Sequence, residues 1–183
     1  MIAIVDYKAG NLTSVRLSFE ALGVETVVTR DPKVIADAER VVFPGVGAAK
    51  SAMANLRELG LVEAVKEAAT SGKPFLGICL GMQILFEHTE EDGGVETLGV
   101  LKGKVRRFPS VEGCKVPEIG WNGDYYYVHS YYAEVVPETS LTAEYAGVEF
   151  TAAVKRGKLW ATQFHPEKSG RLGLKLIKEW LEC

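Results

Sequence analysis

An α/β fold is predicted: one domain with a mainly parallel twisted sheet, flanking helices and a smaller antiparallel strand region in the second half. Three observations predict it. The first half alternates short apolar runs with segments of helical period. The run Pro74-Phe75-Leu76 leads into Gly77-Ile78-Cys79-Leu80-Gly81 and then the helix-like Met82 to Phe86, a strand-turn-helix pattern. From about Gly99 to Phe164 the chain turns to short strands and turns rich in Val, Tyr, Thr and Gly.

The elements follow in order. Ile2-Ala3-Ile4-Val5 is a short buried strand. Asn11 is a good N-cap, because its side-chain oxygen can accept an orphan helix N–H. Leu12, Val15, Phe19 and Leu22 then follow helical spacing, and Gly23 ends the helix. Val24 to Thr29 and Arg40-Val41-Val42-Phe43 are the next strands. Helical patterns fill residues 51 to 71, with a break at Gly60. Pro74 to Ile78 is the strand entering the Cys79 turn. Strand-helix alternation of this kind implies parallel pairing with helices on both faces, and ligands outside the carboxyl ends of the strands. Tyr125 to Tyr132 reads as one dense aromatic strand. Leu172, Leu176, Ile177 and Trp180 mark a closing amphipathic helix.

The 183 residues suffice for one domain with a substantial core. Net charge is -3, and no basic patch points to nucleic acid. No apolar run of membrane-spanning length and no signal-peptide pattern occurs, so a soluble cytoplasmic protein is expected. Cys79, Cys114 and Cys183 are odd in number and far apart. No Cys/His cluster suggests a metal site, and no cofactor motif is found. Pro44-Gly45-Val46-Gly47 is not followed by Gly-Lys-Ser/Thr, and the turn from Asp6 to Asn11 lacks the dinucleotide fingerprint.

Cysteine between two glycines after a strand is the arrangement of a nucleophile elbow. Glycines are needed there because the sharp turn packs tightly and strains the backbone. A helix starting at the turn would aim its N-terminus at the sulfur and favour the thiolate. Such a nucleophile needs a base, and the base an orienting group. Of the three histidines, His88 reads as lying on the same helix as Cys79, too far along it to reach the sulfur. His129 lies in the aromatic strand with no carboxylate near in sequence. His165 has a better context, Gln163-Phe164-His165-Pro166-Glu167. Pro166 biases His165 toward an extended conformation, in which residues i and i+2 share a face. Glu167 can then receive the imidazole N–H, giving Cys79, His165 and Glu167 the logic of a nucleophile–base–acid triad. Gly45, Val46 and Gly47, after the strand ending at Phe43, can bring backbone N–H groups to an oxyanion, and Leu80 N–H supplies another.

Together these segments resemble the triad-type (class I) glutamine amidotransferases. Gly77 to Gln83 is similar to that family's elbow and His165-Pro166-Glu167 to its His-Pro-Glu signature. Further segments narrow the resemblance to the glutaminase subunits of imidazole glycerol phosphate synthase: Asp6-Tyr7, Gly10-Asn11, Pro44-Gly45-Val46-Gly47, Gly120-Trp121-Asn122, Val128-His129-Ser130-Tyr131 and Gln163 to Ser169. The match spans residues 1 to 183 as one type-1 domain. The resemblance implies glutamine hydrolysis through a Cys79 thioester, with Gln83, Glu91, Ser130 and Tyr131 at the glutamine. It implies a (β/α)₈-barrel cyclase subunit as partner, receiving the ammonia. Asn11, Glu118, Trp121, Asn122 and Lys168 would face it, with the aromatic segment Trp121 to Tyr132 as the docking surface.

Two departures stand out. Glu118 occupies a position where the family usually has His. Gly123-Asp124 replaces a loop of about ten residues and would close a tight hairpin. Both are expected near the partner-facing surface. A glutaminase serving anthranilate, GMP or pyridoxal phosphate synthesis remains an alternative, as does a cysteine peptidase or hydrolase of related fold.

Overall fold

The computed structural model describes residues 1–183. Its centre is a seven-stranded sheet ordered β11-β12-β13-β4-β3-β1-β2. The strands are β1 (Ile2–Val5), β2 (Thr26–Thr29), β3 (Arg40–Gly45), β4 (Phe75–Cys79), β11 (Thr139–Tyr145), β12 (Val148–Arg156) and β13 (Leu159–Thr162). From β13 to β2 the pairing is parallel, and β12 and β11 add an antiparallel edge.

The parallel strands are buried on both faces, as helices on each side require. Ala3, Val5, Val41, Phe43 and Phe75 face α2 (Pro32–Asp37), α3 (Ala49–Glu58) and α4 (Val62–Thr70). Ile2, Ile4, Val42, Leu76 and Ile78 face α1 (Leu12–Glu20) and α6 (Gly170–Leu181). Asn11 caps α1 by accepting from Ser14 N–H at 3.3 Å. In α6, Ile177 and Trp180 are buried as expected, but Leu172 is exposed. Gly173 takes the contact instead, because a Cβ there would lie 1.9 Å from the Pro166 carbonyl oxygen.

Three sequence expectations are corrected. The helix after Cys79, α5, is a single turn (Leu80–Gln83). A macrodipole needs aligned peptides over several turns, so little remains to act on the sulfur. His88 therefore sits on no helix. It lies in β5 (His88–Thr89), paired with β6 (Val95–Glu96), and its Nδ1 is 2.7 Å from Glu96 Oε1.

The aromatic segment is two strands rather than one. β9 (Tyr125–His129) forms a hairpin with β8 (Glu118–Asn122), and β10 (Tyr131–Ala133) joins β7 (Lys104–Arg107), with Ser130 between. β10, β7, β5 and β6 form a second sheet. Gly123-Asp124 closes the β8–β9 hairpin as expected. Gly123, at φ 58°, supplies the positive φ that a tight two-residue turn needs at its first central position.

Candidate active site

The elbow is built by close backbone contacts. Cys79 has φ 54° and ψ -112°, a strained conformation for a residue with a side chain. A Cβ at Gly81 would lie 1.9 Å from the Phe43 carbonyl oxygen, and one at Gly77 3.1 Å from the Gly81 carbonyl oxygen. The two flanking glycines thus let the turn press against β3 and hold the sulfur beyond the end of β4.

The neighbouring parallel strand ends in Gly45, in register with Cys79. A Cβ at Gly45 would lie 2.2 Å from the Tyr7 hydroxyl. Tyr7 is fully buried with no hydrogen-bond partner for that hydroxyl. Burial first, and then the charge of Cys79, push its pKa far above the usual phenol value. The Val46 and Gly47 N–H groups make no backbone hydrogen bond. They lie at the rim of a pocket of about 260 Å³ that also contains Cys79, Leu80, Gln83 and Glu91.

His165 and Glu167 come from the turn after β13. His165 Nδ1 lies 2.8 Å from Glu167 Oε1, and both side chains are buried. The turn is tied to β9: His165 N–H donates to the Tyr126 carbonyl, and the Ser169 hydroxyl accepts from Tyr126 N–H and donates to the His165 carbonyl. Burial alone would lower the His165 pKa. Hydrogen bonding and charge from Cys79 and Glu167 outweigh it and raise the pKa to about 10. The sulfur and the carboxylate thus both favour the imidazolium form of the ring.

Ser130, Tyr131, His129 and Lys168 also line the pocket. Glu91 reaches across from its own short turn, and its Oε2 accepts the Ala49 N–H at 2.6 Å, fixing the start of α3 behind the glycine loop. Partial burial, above all, raises its pKa. Gln83 donates from Nε2 to the Tyr131 carbonyl at 2.8 Å and to Gln163 Oε1 at 2.9 Å. Its two amide protons are thus engaged, leaving Oε1 as an acceptor.

Of the expected surface residues, Glu118 turns inward and Asn122 is half-buried beside it. Glu118 is buried, with its Oε2 3.0 Å from His129 Nε2 across the β8–β9 register. Those two atoms are close but poorly aligned for a hydrogen bond. Asn122 donates from Nδ2 to Glu118 Oε1 and to the Glu144 carbonyl, both at 2.9 Å. The Glu118 carboxylate is thus occupied inside the chain. The face is also narrower than the whole aromatic segment. Ile119 (64%) and Trp121 (61%) are exposed, but Tyr127 is buried against Phe150 and Phe164, and Tyr125 stacks on Phe164. Asn11 and Lys168 are exposed, the Asn11 side chain already acting as a cap.

Sequence reasoning missed Gln163 and the Glu118–His129 contact. Gln163 is fully buried, and its Nε2 lies 3.7 Å from Cys79 Sγ. Its place two residues before His165 was the available signal. The pairing of Glu118 with His129 depends on hairpin register, which local sequence does not display.

A buried histidine–carboxylate pair facing an elbow cysteine can activate a thiol for acyl transfer. The class of protein that matches this arrangement is clear: the model of the class-I glutamine amidotransferases matches residues 3–182, and the chain belongs to that family. Within it, the chain is 46% identical to the imidazole glycerol phosphate synthase subunit HisH of Dehalococcoides mccartyi over 201 residues, covering all of this chain and 97% of the relative. Identity to the HisH of Moorella thermoacetica is also 46%, over 99% of this chain and 94% of the relative. Among solved structures, a glutamine amidotransferase covers 100% of this chain and 98% of its own, with a TM-score of 0.77 at 21% identity. PurLQS from Thermotoga maritima gives 0.68 at 20% identity. These two structures support the fold.

Proposed function

We propose that this chain is the glutaminase subunit of an imidazole glycerol phosphate synthase. It hydrolyses glutamine to glutamate and ammonia and delivers the ammonia to a cyclase subunit. There the products are imidazole glycerol phosphate and aminoimidazole carboxamide ribonucleotide, in histidine biosynthesis. The observation that carries this reading is the Cys79–His165–Glu167 arrangement in a chain 46% identical to HisH over its full length.

The chemistry assigns each residue a step. Cys79 thiolate attacks the side-chain amide carbon of glutamine. The oxyanion that forms is held by Leu80 N–H and the Gly45-Val46-Gly47 backbone. His165 gives its proton to the departing nitrogen, so ammonia leaves and a thioester remains. Neutral His165 then takes a proton from water, which attacks the thioester, and collapse returns the thiolate. Glu167 holds the ring orientation and favours its cationic form. Gln83 Oε1 and the Ser130–Tyr131 backbone hold the glutamine head group, and the Glu91 oxygen not engaged by Ala49 pairs with the α-amino group.

Trp121, Ile119, Lys168 and Asn11 form the partner-facing surface. Exposed Ile119 and Trp121 side by side on a small chain suit burial against another subunit. No helix is long and apolar enough to cross a membrane, and the reading places the enzyme in the cytoplasm.

The test is reconstitution with a cyclase subunit and its ribonucleotide substrate. Wild-type chain should support product formation from glutamine. Cys79→Ala should support it from ammonium salts alone. Failure of wild type to use glutamine with this cyclase, while hydrolysing it elsewhere, reassigns the synthase.

A further inference from the structure

We propose that Gln163 is a further catalytic residue: its side-chain N–H donates to the Cys79 thiolate, and the Tyr131 carbonyl, acting through Gln83, fixes that orientation. The proposal rests on Cys79 being the nucleophile, and it is tested below without glutamine.

An amide side chain can present either oxygen or nitrogen, so its direction has to be set by its neighbours. The Tyr131 carbonyl oxygen can only accept. It therefore fixes the group 2.8 Å away as Gln83 Nε2. Gln83 Nε2 is also 2.9 Å from Gln163, so the facing Gln163 atom has to be the acceptor Oε1. That leaves Gln163 Nε2 toward the sulfur, at 3.7 Å. The orientation at the nucleophile is thus set from a backbone carbonyl two side chains away.

That carbonyl is itself held in place. His129 Nδ1 lies 2.7 Å from it and has to be the donor. Gln163 is positioned by the sheet: Thr162 pairs with Ile78 in the parallel β13–β4 ladder, which places the following residues, Gln163 and Cys79, side by side. Its N–H donates to the Ala152 carbonyl at 2.8 Å.

The sulfur meets a donor and an acceptor with opposite preferences. The Val128 carbonyl lies 3.7 Å away and can only receive the thiol S–H. Once that proton is lost to His165, the carbonyl has nothing to accept, and the Gln163 N–H gains a charged acceptor. A hydrogen bond to an ionised acceptor is stronger than one to its neutral form. Gln163 therefore stabilises the attacking state selectively. A buried amide serving only as filler would leave a costly unsatisfied donor.

The experiment measures the rate of Cys79 alkylation by iodoacetamide against pH, read on the Cys79 peptide by mass spectrometry. Cys114 and Cys183 are then resolved separately. Gln163→Leu removes the donor. Gln163→Glu keeps an acceptor for Gln83 but offers the sulfur no N–H, and serves if the leucine variant fails to fold. Each should alkylate about three- to tenfold more slowly at pH 7, with the profile midpoint moved up by about half to one pH unit. Unchanged profiles in folded variants overturn the proposal.

Gln83→Met tests the orientation. It should slow alkylation in the same direction, and Gln83→Met/Gln163→Leu should match Gln163→Leu alone, because coupled residues are not additive. Fully additive effects overturn the role of Gln83. A normal set of shifts in a chain that never hydrolyses glutamine supports this inference while removing the proposed function.

Discussion

Glu167 Oε1 accepts from His165 Nδ1 at 2.8 Å across a single proline, with both side chains buried. The contact is made by two residues of one turn, so its geometry is local. Its consequence is not local, because with Nδ1 engaged the other ring nitrogen is the one left for the Cys79 sulfur on a different strand. Glu167→Gln retains an oxygen for Nδ1–H and loses the charge. It should lower glutamine turnover by about ten- to a hundredfold, while His165→Asn should cost at least about a thousandfold. A loss in Glu167→Gln equal to that of His165→Asn contradicts a purely supporting role for the carboxylate.

The raised His165 pKa has a signed effect on stability. The folded value, about 10, lies above the ordinary 6.5. Folding is therefore favoured by protonation, fully so below about pH 6.5, and the benefit is lost as pH rises toward 10. Denaturant unfolding should show the stability margin of wild type over His165→Asn shrinking between pH 6.5 and 10. A margin that grows over this interval would refute the assignment of a protonated ring.

Tyr7 and Gly45 form a matched pair. The buried Tyr7 hydroxyl has no partner and occupies the space a Gly45 side chain would need. Tyr7→Phe should leave stability unchanged or raise it by about 1 kcal/mol, since an unsatisfied buried hydroxyl is removed. Gly45→Ala should destabilise by about 2 kcal/mol or more through overpacking. The double variant should recover part of that loss. Additive effects in thermal melts would show that the two do not share this space.

The inward Glu118 gives a prediction opposite to that of a surface residue. Glu118→Leu leaves Asn122 Nδ2 without one acceptor and His129 Nε2 without its neighbour. It should cost about 1–3 kcal/mol of stability. Glu118→Gln, which keeps an oxygen for Asn122, should cost less. Partner affinity that falls while stability holds would return Glu118 to the interface.

Much of this site is legible in sequence because its parts are short and local. The elbow glycines and the His165-Pro166-Glu167 turn each declare a backbone requirement within a few residues, and the structure gives the contact behind each. What escaped depends on partners distant in the chain. Gln163 gains meaning only when β13 pairs with β4. Glu118 faces inward because of its register with His129. The split of the aromatic segment at Ser130 follows from two different sheets claiming its halves. The length of α5 is not legible because Met82 to Phe86 is buried throughout, and a buried run does not reveal whether it is helical.

The most direct measurement is glutamate release from glutamine by wild type and Cys79→Ala, with the cyclase subunit and its ribonucleotide present. Wild type should release glutamate, and Cys79→Ala should fall at least about a thousandfold while binding the cyclase as tightly. Release by folded Cys79→Ala at the wild-type rate would contradict the nucleophile assignment and everything built on it.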